Sequence, residues 1–159
     1  MLRALRIKRK GHWDGVSVDH VVLTYDDRYR RRMAMKSSDG LCFLLDLKKT
    51  TVLNDGDAIV LSDNQLIAVV AATEPLLKVC CENAACLTRI AWHIGNRHVA
   101  ADIRKDQILI RKDHVIAEML RGLGASVKNV IEPFNPELGA YDHHNHDYAR
   151  NNPERYSHG

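Results

Sequence analysis

Short blocks of apolar residues, broken by turn signals, run through the first half of the chain. Val16, Val18, Val21 and Leu23 lie in a β-rich run that closes at Thr24-Tyr25-Asp26-Asp27. Residues 41–47, LCFLLDL, form a second apolar run, and Thr51, Val52 and Leu53 precede the turn Asn54-Asp55-Gly56-Asp57. Residues 58–61, AIVL, pair with 66–72 across Ser62-Asp63-Asn64-Gln65. Turn signals about every ten residues predict strands without intervening helices. The expected unit is an all-β domain over 1–74, ending at Thr73-Glu74-Pro75 because proline sits at element ends.

The period then changes. Residues 76–81, LLKVCC, read as a strand, and Asn83 can cap a helix by accepting a bond from a free backbone N–H. Leu87, Ile90, Ala91 and Ile94 recur at i, i+3, i+4, i+7, the spacing of one buried helical face, and Gly95 is expected to stop it. Strands are expected at 99–104 and 107–111. Asp113 then caps a second helix with the face Ile116, Met119, Leu120 and Leu123, ended by Gly124. Residues 126–131, SVKNVI, supply the last strand. The order β-α-β-β-α-β predicts a ferredoxin-like domain over 75–135. The fold class is α+β. After Pro133 apolar residues become sparse, order is expected to be lost, and 136–159 is expected to be a flexible His-containing tail.

Hydrophobic residues make up 45% and charged residues 27%, a balance that suits a soluble globular protein. No apolar run approaches the roughly 20 residues of a membrane span, and the N-terminus lacks a signal-peptide core. A cytoplasmic location with no membrane partner is expected. The basic cluster Arg28-Tyr29-Arg30-Arg31-Arg32 raises nucleic-acid binding. Asp26 and Asp27 directly before it favour a solvated strand edge or turn instead, so no nucleic-acid partner is expected. Cys80, Cys81 and Cys86 lie close together and Cys42 apart, without a C-x-x-C pair. They read as small buried hydrophobes rather than a zinc knuckle.

Histidines carry the candidate chemistry. His143, His144 and His146 fall in GAYDHHNHDYARN, a stretch with little apolar surface to bury. Neutral imidazole offers a lone pair at pH 7 and suits nickel, copper and zinc. A purification tag, a solvated polar tail and a pH-sensitive patch compete with metal binding there. His93 and His98 flank the end of the first helix, and His114 begins the second. A lone histidine at a helix end is more often a surface or capping residue than a ligand.

Trp92-His93-Ile94-Gly95-Asn96-Arg97-His98 resembles the aromatic-H-L-G-N-R-H signature of the urease accessory nickel metallochaperones, the UreE family. Asp113-His114-Val115 with Met119-Leu120 resembles its D-H-V-L-x-x-M-L segment. Leu123-Gly124-Ala125 and Pro133-Phe134-Asn135-Pro136-Glu137-Leu138-Gly139-Ala140-Tyr141 resemble its L-G-A and P-F-x-P-E-x-G-A-Y segments. Four motifs in order make chance similarity a poor explanation.

The resemblance implies an N-terminal β domain, a ferredoxin-like metal-binding domain and a homodimer formed through the latter. It implies that His98 faces its symmetry mate and shares one ion with it, with His143, His144 and His146 completing the coordination. The ion implied is Ni(II), with Zn(II) or Cu(II) suited to the same ligands. The implied partners are the urease accessory GTPase and the urease apoprotein. Some family members carry a further histidine where this chain has Lys112, a cation that repels a metal ion, so His114 is a weaker ligand candidate than His98.

The leading expectation is therefore nickel delivery for assembly of the urease active site, without catalytic turnover. A zinc-dependent hydrolase would need a general base, for which Asp113 and Glu118 are the nearest candidates, and no H-E-x-x-H pattern occurs. A peptide-binding β module, using an open sheet edge of the N-terminal half, is the third reading.

Overall fold

The computed structural model describes residues 1–138; His143, His144, His146 and His158 lie outside the described residues. Contacts divide the described chain into Met1–Ala72 and Thr73–Glu137.

The first unit contains β1 (Leu2–Lys8), β2 (Asp19–Leu23), the one-turn helix α1 (Tyr25–Arg28), β3 (Tyr29–Lys36), β4 (Cys42–Val52), β5 (Ala58–Leu61) and β6 (Leu66–Ala71). The six strands form one sheet in the order β2-β6-β5-β1-β4-β3. β1 runs parallel to β4 and β2 parallel to β6, and the other neighbours are antiparallel. Its core gathers Val21, Phe43, Leu45, Ile59, Leu61 and Ile67.

Strand β1 is central, yet its sequence does not alternate. Leu2 and Ala4 face the core, and so does Ile7, one position out of phase. A register shift between Ala4 and Arg6 against β5 resolves the mismatch. The extra residue of a bulge flips the alternation, so Ile7 returns to the buried face. Val16 and Val18, expected in a strand, precede β2 and are exposed. Thr24 caps α1, its side chain accepting from Asp27 N. The basic cluster divides: Arg28 ends α1 and is buried, whereas Arg30, Arg31 and Arg32 are exposed on the edge strand β3.

The second unit contains β7 (Thr73–Cys80), α2 (Ala84–Asn96), β8 (Ala101–Ile103), β9 (Ile108–Arg111), α3 (His114–Gly122) and β10 (Ser126–Pro133). Its antiparallel sheet has the order β10-β7-β9-β8, the ferredoxin-like arrangement. Pro75 lies inside β7 rather than at the end of an element. Pairing with β9 starts only at Leu76, so at Pro75 one side of the strand has no neighbour that needs its missing N–H.

One sheet face, with Leu77, Val79, Ile108 and Ile110, buries Ile90 and Ile94 of α2 and Ile116 and Leu120 of α3. Each such side chain contributes about 1.5–3 kcal/mol by leaving water. Leu123, expected on this face, caps α3 and is exposed; Ala117 is buried instead. The alternate residues Leu76 and Leu109 point to the opposite face and are fully buried, as is Phe134. Order therefore persists past Pro133, because the Phe134 ring gives residues 134–138 apolar surface to bury.

Candidate metal site

Helix α2 is built as the sequence indicates at its start, where Asn83 Oδ1 accepts from Cys86 N at 2.8 Å. Its end differs. Gly95 does not stop it; the helix runs through Gly95 to Asn96, and Arg97 is the C-cap. His98 follows with φ +58, the left-handed conformation. The His98 N–H donates to Gly95 O at 3.0 Å and the Val99 N–H to Ile94 O at 3.3 Å. This pair of bonds is a Schellman motif, which satisfies carbonyls left over at a helix end. Val99 packs on the core cluster that holds Ile94, the apolar contact that accompanies the motif. The motif normally uses glycine after the cap; here it turns an exposed imidazole into solvent.

His114 is the first residue of α3 and is exposed. Asp113 Oδ1 accepts from Val115 N at 3.0 Å and Ile116 N at 3.1 Å, so this carboxylate serves the helix end. Glu118 is exposed on α3 and Lys112 is exposed before it. His98 lies three residues before β8, and His114 three residues after β9. Since Ala101 pairs with Ile110, both histidines belong to the same end of the sheet. Among the described residues, no three His, Cys, Asp or Glu side chains converge as a metal cluster. His93 lies inside α2 with its ring edge-on to Trp92, centroids 5.0 Å apart, and Trp92 is 64% exposed.

The segment after β10 reaches the same end, which the sequence reading missed. It crosses the helix-free face of the sheet. Phe134 lies under the Arg111 guanidinium, 5.4 Å from Cζ to ring centroid. Asn135 N donates to Asp102 Oδ2 at 3.3 Å, and Glu137 N donates to Ala101 O at 2.8 Å. The strap thus starts from β10 at one edge and finishes on β8 at the other. The chain leaves toward residues 139–159 from beside Ala101, three residues from His98. The signal was an apolar Phe134 between Pro133 and Pro136 in an otherwise polar segment.

The cysteines contribute no cluster of this kind. All four are free thiols. Burial pushes the Cys81 thiol up to about 11, and its hydrogen bond with Cys86 adds to the shift. A thiol so held is protonated at neutral pH and is a poor ligand in that form.

Comparison with known proteins covers both units. Residues 2–72 match the N-terminal domain of the UreE urease accessory protein, and residues 74–158 match its C-terminal domain. A urease accessory protein UreE of Rhodopseudomonas palustris (strain HaA2) is 51% identical over 141 residues, 89% of this chain and 66% of the relative. Those of Beijerinckia indica and Ruegeria pomeroyi (strain DSS-3) are 46% and 48% identical, over 92% and 86% of this chain and 87% and 89% of their own lengths. With both domains matched in order and near-half identity along most of its length, the chain belongs to the UreE family of urease accessory proteins.

Proposed function

We propose that this chain is a cytoplasmic metallochaperone that binds Ni(II) and passes it on for assembly of the urease active site. One observation carries the reading. His98 holds an exposed imidazole in a left-handed conformation that glycine adopts more cheaply, at the sheet end from which the chain departs toward His143, His144 and His146.

One imidazole is not a site. A two-fold axis would bring His98 of two copies together, so that one histidine per chain becomes a ligand pair. Trp92, exposed on the last turns of α2, offers apolar surface for such a homodimer. The tail would supply the remaining ligands. His143 is six residues beyond Glu137, a span of at most about 20 Å, and Ala101 is within about 10 Å of His98 by the same measure. Tethered imidazoles would therefore act at high local concentration. His114, at the same sheet end, is a weaker candidate because Lys112 stands beside it.

Delivery needs binding that can be undone. Imidazole ligands exchange more readily than a closed thiolate cage, and some come from a tether rather than a rigid frame. Zn(II) or Cu(II) would suit the same donors. The recipients are the urease accessory GTPase and the urease apoprotein. Native mass spectrometry of the full chain with added nickel tests the assembly: the reading expects a dimer carrying an ion, and a monomer loaded as fully as any dimer contradicts it.

A further inference from the structure

We infer that Asp102 is a positioning residue that fixes where the histidine-bearing tail departs relative to His98. The inference rests on the tail acting as ligand, as proposed above.

Asp102 lies in the middle of β8, and its side chain is 1% exposed. Its Oδ2 accepts from Asn135 N at 3.3 Å and from Arg104 Nη2 at 3.3 Å. Arg104 Nη1 lies 3.6 Å from Glu132 Oε1, on β10. The carboxylate thus joins the strand that follows His98 to the strap that leads into the tail, and its cation reaches the strand from which the strap starts. Its other oxygen, Oδ1, is buried with no hydrogen-bond partner among the described residues. Stability alone does not favour this arrangement, because a buried carboxylate oxygen without a partner costs free energy. The arrangement does fix position. With the strap seated, the tether to His143 runs from Glu137; with it released, the tether runs from Pro133, at the opposite edge of the sheet. Local ligand concentration falls roughly as the −3/2 power of tether length. Going from six to ten residues costs about twofold per imidazole, or roughly two- to fivefold in nickel affinity when more than one engages.

A cycle of variants separates positioning from mere structure. Nickel affinity is measured for the full chain and for a chain ending at Tyr141, each with and without Asp102→Ala. Asn135→Pro, which removes the donor and keeps the carboxylate, repeats the test from the strap side. Asp102→Asn keeps an acceptor and is expected to stay within about twofold of the parent. Positioning predicts that Asp102→Ala and Asn135→Pro weaken binding in the full chain and have no effect in the truncated one. Equal losses in both chains, or no loss in either while truncation itself weakens binding, overturn the inference. If truncation changes nothing, the ligand role of the tail is what fails. Hydrogen exchange then decides the positioning without metal. Faster exchange at the Asn135 and Glu137 amides in Asp102→Ala, with α2 unchanged, supports it, and unchanged exchange overturns it.

Discussion

His98 and Gly124 hold the same place at two helix ends of one domain. Gly124 follows the Leu123 cap of α3 with φ +95, and its N–H donates to Arg121 O at 3.0 Å while Ala125 N donates to Leu120 O at 3.0 Å. His98 repeats both bonds after the Arg97 cap of α2, with φ +58. One end uses the residue the geometry favours. The other uses a side chain with a Cβ, which the geometry disfavours, and the proposed metal role is what would favour it there.

The comparison predicts opposite effects of one substitution on stability and on binding. The left-handed conformation costs a residue with a Cβ about 1–2 kcal/mol. Glycine removes that cost but gives the unfolded chain about 0.4–1 kcal/mol of extra freedom. His98→Gly is therefore expected to be about 0.5 kcal/mol more stable than the parent, and His98→Ala, which keeps the Cβ, to gain nothing. Urea denaturation of the metal-free proteins checks this. A destabilised glycine variant would mean that the imidazole makes a folding contact.

In the first unit, Asp57 is expected to matter for folding and not for metal. It is 1% exposed and meets Arg9 Nη1 at 2.7 Å, while also accepting from Lys10 N and Asn54 N at 2.9 and 2.8 Å. Removing one partner of such a pair strands the other charge. Asp57→Ala is expected to cost about 3–5 kcal/mol in denaturant unfolding. Unfolding free energy within error of the parent would contradict the assignment.

Cys81 gives a pH prediction. Its folded pKa, about 11, exceeds its ordinary value of 9.0, so the folded state holds the proton more tightly. The resulting stability is present in full below about 9 and is lost as pH rises toward 11. Thermal unfolding of the parent is expected to fall more steeply across that window than that of Cys81→Ala. Parallel curves, or a thiolate-to-nickel charge-transfer band at neutral pH, would contradict the picture of a half-buried protonated thiol.

The ferredoxin-like order was legible because α2 and α3 each bury one face at helical spacing and because Asn83 and Asp113 are cap residues in the right place. Strand β1 was not legible, since its bulge breaks the alternation on which a strand is recognised. The end of α2 was misread because Gly95 looks like a stop, whereas the residue with positive φ is His98. The strap was hidden for a third reason. Phe134, Asn135 and Glu137 have no period, and their partners Arg111, Asp102 and Ala101 are distant in sequence. His98 could be singled out by its motif, but its conformation and the tail's departure point beside Ala101 are properties of the folded chain.

Calorimetric titration with nickel at neutral pH tests the central claim most directly, on the full chain and on His98→Gly. The account predicts one tight ion per two chains for the parent and loss of that event in a variant that remains folded. Binding of the parent should weaken on acidification, because protons compete with the ion for the imidazole nitrogens. Equal stoichiometry and equal affinity in the two proteins would contradict it.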